Sequence, residues 1–145
     1  MRQTPVSNYD LSRILSDGLK RWSSLAERNI RVVGLNLAEL RVLRLLSELG
    51  PCSMVTLAKE QQMTAPGMTI VVDKLEDAGL VRRMRSDADR RIINVAITGK
   101  GGERLKRAKK LNDLFIERAT HGLTSQEVNS FFTTLNKLIS ACEGG

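Results

Sequence analysis

Apolar residues return at every third or fourth position from Asn8 to about Asn29, at Leu11, Ile14, Leu15, Leu19, Trp22, Leu25 and Ala26, and predict a long first helix with one buried face. Asn36 reads as the cap of a second helix. Glu39 stands three residues on, as a capping box requires, and Leu35 and Leu40 are placed to staple across it. Gly50-Pro51 stops that helix beyond Leu43 and Leu46. Ser53 can cap a short helix carrying Val55, Leu57 and Ala58. Thr64 can cap another whose Pro66 sits in the first turn, where a missing N–H does no harm. Met68, Val71, Val72 and Leu75 line the inner face of this helix, Met54 and Met63 add core packing, and Gly79 ends it.

From 80 to 97 the pattern changes to β-branched alternation around a polar centre at 86–89, which predicts a hairpin. Gly99, Gly101 and Gly102 mark a join. Helical spacing then resumes at Leu105, Ala108, Leu111 or Asn112, Phe115 and Ala119, as far as His121-Gly122. A second capping box, Thr124-Ser125-Gln126-Glu127, opens a last helix with a wide apolar stripe of Val128, Phe131, Phe132, Leu135, Leu138, Ile139 and Cys142; Gly144-Gly145 reads as a frayed end. Helix, short helix, tight turn, helix, hairpin is the order of a winged helix-turn-helix, so the fold class is mainly α with a small β-hairpin (α+β). Residues 1–145 read as a single domain, with a DNA-binding lobe at 36–98 and dimerisation helices at 8–34 and 99–143. The two terminal stripes exceed what one small winged domain can cover, and predict that two copies pair across a two-fold axis.

Composition adds a partner. The 145 residues, 41% of them hydrophobic, allow a real core, while 23 Lys and Arg against 16 Asp and Glu give a net charge of +7. The isoelectric point near 9.9 favours a polyanion such as nucleic acid over an acidic small substrate. No apolar run nears the roughly 18 residues of a membrane span, and the amino terminus lacks the layout of a signal peptide, so a cytoplasmic protein without membrane contact is expected. Cys52 and Cys142 form neither a CxxC nor a metal pattern and read as reduced, small buried fillers; a thiol-based oxidant sensor is the competing reading of Cys52. A lone histidine, His121, argues against zinc, and no cofactor is expected. No nucleophile, base and acid fall into a supporting context, so the protein is not expected to be an enzyme.

Five arginines, Arg82, Arg83, Arg85, Arg90 and Arg91, crowd the hairpin together with Asp87 and Asp89. A guanidinium pairs with phosphate oxygens and can enter a narrow, strongly negative minor groove, so Arg85, Arg90 and Arg91 are assigned to the wing contact, with Asp89 holding a neighbouring guanidinium. In such a fold the helix capped by Thr64 enters the major groove. Ser53, Thr64, Ala65, Pro66, Gly67, Thr69, Ile70 and Lys74 are its candidate DNA-facing residues. Thr64 and Thr69 are the polar side chains near its amino end, and Ala65 and Pro66 offer apolar contact to thymine methyls.

Leu57-Ala58, the run from Val72-Asp73-Lys74-Leu75 to Gly79-Leu80-Val81-Arg82-Arg83, then Asp87-Ala88-Asp89-Arg90-Arg91, Val95-Ala96-Ile97-Thr98 and Gly101 resemble the multiple-antibiotic-resistance regulator (MarR) family. The wing signature of that family, Asp-x-Arg-x-x-x-Val-x-Leu-Thr, fits Asp89, Arg91, Val95 and Thr98, with Ile97 in place of leucine. The resemblance implies a homodimeric transcriptional regulator joined by its terminal helices, bound to pseudo-palindromic double-stranded DNA and answering to a small aromatic or anionic effector. Lys20, Arg21 and Arg28 either face such an effector or form a solvated face. The chain departs from the family at Ala65-Pro66-Gly67, where relatives commonly carry polar or arginine side chains, and at Gln62, where a turn glycine is usual and either a residue at positive φ or a reshaped turn is implied. A winged-helix module for protein contact or RNA binding is the alternative function.

Overall fold

Each helix begins on a side chain that satisfies its first free amides. In α1 (Asn8–Arg31) that residue is Ser7, whose hydroxyl accepts from Asp10 N at 3.1 Å. In α2 (Leu37–Leu49) Asn36 and Glu39 complete the expected capping box, each side chain accepting from the other's backbone N–H at 2.9 Å. The two-residue strand β1 (Cys52–Ser53) follows, and Ser53 Oγ then caps α3 (Met54–Glu60) by accepting from Thr56 N at 3.1 Å. Thr64 Oγ1 caps α4 (Ala65–Asp77) by accepting from Gly67 N at 3.3 Å. Strands β2 (Val81–Arg85) and β3 (Ile93–Ile97), then α5 (Gly99–Thr120) and α6 (Ser125–Glu143), complete the chain. The computed structural model describes residues 7–86 and 89–143. The expectations for Asp87, Ala88 and Gly144-Gly145, at the hairpin turn and the frayed end, lie outside the described residues.

The chain divides into two compact units, one extending to Asn112 and one beginning at Asp113. The first contains a core of Val42, Leu43 and Leu46 from α2, Leu57 from α3, Met68, Val72 and Leu75 from α4, and Val81 and Val95 from the sheet, closed by Ile30, Leu35, Leu105 and Ala108. Met54 and Met63 pack against it, as their spacing predicts. Val55, by contrast, points outward and is exposed.

The predicted hairpin is the larger part of a three-stranded antiparallel sheet in the order β1-β3-β2. Within the hairpin Val81 faces Ile97, Arg83 faces Val95 and Arg85 faces Ile93. β1 adds two pairs, Cys52 with Val95 and Ser53 with Asn94. Two residues are too few to show a period, so β1 exists through its pairing with β3 and leaves no mark in the pattern of the chain.

α4, the hairpin and α5 are joined at one place. Gly79 turns the chain at a φ of 71°, a region that suits glycine. Thr98 N donates to Leu80 O at 3.0 Å, and Thr98 Oγ1 donates to Gly79 O at 2.7 Å while accepting from Gly101 N at 3.0 Å. Lys100 Nζ closes the carboxyl end of α4 by donating to Ala78 O at 2.8 Å. The glycines expected to mark a join lie inside the first turn of α5. Gly101 is required there by space: a Cβ on it would collide with the Leu80 carbonyl and lie 2.8 Å from Ile97 Cγ1, whereas one on Gly102 would meet nothing within 4 Å.

Two apolar faces predicted to be covered are open in the single chain. Along α1, Leu11, Ile14, Leu19 and Leu25 are exposed, and none of the residues of α6 is buried. Phe131 and Phe132 keep 66% and 64% of their surface. The second capping box forms as expected, with Glu127 N donating to Thr124 Oγ1 at 3.2 Å and Thr124 N donating to Glu127 Oε2 at 2.8 Å. That backbone bond, then the Thr124 hydroxyl, holds the Glu127 carboxyl below its usual range, so its support for α6 is lost as pH falls through the lowered value.

Replacing Gly101 with alanine should destabilise the protein by about 1–3 kcal/mol, because a backbone carbonyl cannot yield as a side-chain end can. Gly102→Ala should be neutral or stabilising by up to about 1 kcal/mol. Urea unfolding of both variants checks this; equal effects would mean that the close approach at Leu80 is relieved at no cost.

Candidate nucleic-acid interface

α3 and α4 are joined by a tight turn at Gln61, Gln62 and Met63. Gln62 takes a φ of 50°, so of the two expectations for the missing turn glycine the left-handed conformation is the one found. The turn sets α4 with Met68, Val71, Val72 and Leu75 on the core and with Thr64, Ala65, Pro66, Thr69, Ile70 and Lys74 exposed. Ile70 is 58% exposed, a large apolar side chain left outside while Met68, Val71, Val72 and Leu75 of the same helix are buried. Gly67 sits beneath the cap, where a Cβ would press to 3.1 Å from Thr64 Oγ1.

The two hydroxyls at this end are directed onto the helix itself. Thr64 Oγ1 accepts from Gly67 N, and Thr69 Oγ1 donates to Ala65 O at 3.0 Å, a local bond that competes with any outward one. Ser53 is half-buried, its hydroxyl shared between Thr56 N and Thr56 Oγ1. Lys74 lies in the last turn of α4, far from the tip, beside Arg31, Gly34, Leu35 and Asn36. The tip therefore presents Ala65, Pro66 and Ile70 as an apolar edge.

In the wing, Arg85, Arg90 and Arg91 are exposed. Asp89 Oδ1 accepts from Arg91 N at 2.9 Å and from Arg91 Nε at 3.3 Å, while Ile92 N donates back to Asp89 O at 2.9 Å. One carboxylate thus shapes the turn and fixes the root of the Arg91 guanidinium, whose side chain remains 92% exposed. Of the hairpin arginines, Arg83 behaves differently. It shares a face of β2 with Val81, its N–H donates to Glu76 Oε1 at 2.8 Å, and its guanidinium pairs with Glu76 Oε2 and, at 2.6 Å, with Asp73 Oδ1. The Asp73 bond first, and Glu76 after it, hold its pKa above the ordinary arginine value. Sequence reasoning counted Arg83 among the five hairpin arginines and gave it no contact of its own. Asp73 and Glu76, three apart on one helical face, are the signal that a partner was required there.

Lys20, Arg21 and Arg28 do come together, with Asp17, Ser24 and Leu25, around an open depression of about 620 Å³. Every one of these residues belongs to α1, so the feature is a groove along one helix. Among the described residues no cluster of three or more His, Cys, Asp or Glu side chains is placed to hold a metal, and no helix is long and apolar enough to cross a membrane. Cys52 is buried, with Sγ donating to Gly50 O at 3.3 Å. Burial, and then the charge of Glu60, pushes its pKa up. Cys142, read from its spacing as a second buried filler, is exposed: its helix has no covering layer within the chain.

The profile of the MarR family matches residues 35–93 of this chain. The helix-turn-helix transcriptional regulator YkoM of Bacillus subtilis (strain 168) is 30% identical over 128 residues, which cover 88% of this chain and 83% of the relative. Among solved structures, the transcriptional regulator BldR from Sulfolobus solfataricus superposes with a TM-score of 0.77 at 29% identity, over 96% of this chain and 99% of BldR. A mutant MarR from E. coli in complex with operator DNA reaches a TM-score of 0.77 at 23% identity, over 88% and 92% of the two chains.

A buried thiol with a raised pKa is protonated near neutral pH and reacts poorly. In a Cys142→Ser variant, Cys52 should react with Ellman's reagent at least about tenfold more slowly in the folded protein than in denaturant. Equal rates would return Cys52 to the role of an oxidant sensor.

Proposed function

We propose, from the premise that the chain belongs to the MarR family of winged-helix transcription regulators, that it acts in the cytoplasm as a homodimer on a pseudo-palindromic operator. One observation carries this reading. A single compact unit turns an exposed row of Ala65, Pro66, Thr69 and Ile70 outward on α4, while the wing of the same unit presents Arg85, Arg90 and Arg91. The helix would lie in the major groove and the arginines would reach the neighbouring backbone or minor groove.

The dimer is supported by the apolar rows that α1 and α6 each present to solvent, which a second copy would cover. A small aromatic or anionic effector belongs to the same reading. Lys20, Arg21 and Arg28 are its candidate cations, and binding of an aromatic carboxylate that vanishes in a Lys20→Ala/Arg21→Ala variant would support it.

With so few outward donors on α4, affinity would come mainly from phosphates, and specificity from half-site spacing, DNA shape and thymine methyls. Thr69 and Ile70 would contribute through their apolar atoms.

Light scattering should give a dimer, and a stable monomer at micromolar concentration would refute that part of the proposal. Duplex DNA should bind more tightly than duplex RNA, with log K falling against log salt at a slope of about −5 or steeper. Preference for RNA would turn the reading to an RNA-binding module. Arg90→Ala should weaken every duplex, whereas Arg91→Ala should weaken A·T-rich flanks more than G·C-rich ones. Equal losses on both flanks would restrict Arg91 to phosphate contact.

A further inference from the structure

Arg83 carries its charge in the wrong direction for a wing arginine. Its side chain is 28% exposed, against 92% for Arg91, and both of its carboxylate partners lie on α4. Asp73 and Glu76 together bear two negative charges against its one. A phosphate approaching this cluster would meet net negative charge, and a guanidinium already engaged with two carboxylates has little left to offer it.

We propose that Arg83 is a positioning residue for DNA binding, its clasp on Asp73 and Glu76 locking the wing to α4 so that helix and wing meet the duplex as one rigid body. The proposal rests on the DNA-binding reading given above. Its physical content is an effective concentration. Once α4 has docked, a rigidly held wing makes its contact as an intramolecular event, whereas a loose wing must first be ordered. The clasp suits that task because a planar guanidinium can face two carboxylates at fixed angles while the Arg83 N–H ties the backbone to Glu76 as well. A lysine offers a compact point charge without the fork.

The test uses a duplex selected by the full-length protein from a random-sequence pool, in two lengths: trimmed to the half-sites under α4, and extended by flanks that the wings can reach. Flanks should raise wild-type affinity about tenfold. In Arg83→Gln that gain should fall to about twofold or less, while affinity for the trimmed duplex stays within about twofold and the salt slope on that trimmed duplex is unchanged, since no phosphate contact is lost there. Arg83→Lys should recover part of the gain. If Arg83→Gln weakens both lengths equally and lowers the salt slope by about 1 per subunit, Arg83 is a phosphate contact and the proposal fails. It also fails if the flank gain survives in Arg83→Gln or is missing from the wild type.

Thermal unfolding guards against a variant that does not fold. In that event Glu76→Gln, which keeps an acceptor for Arg83 N–H and leaves the Asp73 pair in place, should lose about half of the flank gain on a logarithmic scale. A full gain in Glu76→Gln would overturn the clasp. A wild-type protein that binds neither length would overturn the DNA-binding reading instead, an outcome distinct from all of these.

Discussion

One hydroxyl, Thr98 Oγ1, sits where α4, the wing and the long fifth helix meet. It donates to the carbonyl that follows α4 and accepts from the first turn of α5, while the Thr98 backbone closes on Leu80 at the start of β2. The strand that enters the wing and the strand that leaves it are thereby fixed at a common root. Gly101 allows this, because α5 runs so close to the Leu80 carbonyl that a side chain there would force the knot apart. The angle between α4 and the hairpin follows from this geometry and from the clasp of Arg83, and the arginines at the far end of the wing inherit it.

The excess of positive charge is divided between two uses. Lys100, Arg104 and Arg83 are spent on internal partners: Lys100 on the last carbonyls of α4, Arg104 on Val33 O at 2.5 Å beyond α1, and Arg83 on α4 carboxylates. Arg82, Arg85, Arg90 and Arg91 stay exposed. The internal bonds leave the net charge of +7 unchanged but tie Lys100, Arg104 and Arg83 to the fold, and the wing owes its cationic character to a few side chains whose bases are held by backbone and by Asp89.

Helices were legible in the sequence because each carries several turns of periodic apolar residues and a capping side chain; the boxes at Asn36 and Thr124 form as their spacing implies. The winged-helix order followed from them, whereas the resemblance to the family came from the wing motif of Asp89, Arg91, Val95 and Thr98. Features made by contact across the chain were not legible. β1 is defined by its partner strand, and Gly101, which reads as a breaker, is a helical residue chosen for a close approach. A period also says that a face is apolar without saying what covers it, and the stripes of α1 and α6, too wide for one small domain to cover, are open in the single chain. In the candidate interface, the outward positions of α4 could be read by elimination from the core pattern. The inward bonds of Thr64 and Thr69 and the pairing of Arg83 with α4 depended on rotamers and register that no local pattern carries.

α4 keeps its two tasks on separate side chains. Met68, Val71, Val72 and Leu75 hold it to the fold, while Ala65, Pro66, Thr69 and Ile70 touch little of the core. On the proposed reading, substitutions in the second group would act on the choice of target at little cost in folding free energy, because surface changes away from special backbone positions usually fall within about 0.5 kcal/mol. Gene copies of a regulator that reads DNA in this way could then diverge in the promoters they serve while the frame that orients the helix stays the same, and a single mutation at Ala65 to a longer polar residue would be a short evolutionary path to a new base preference.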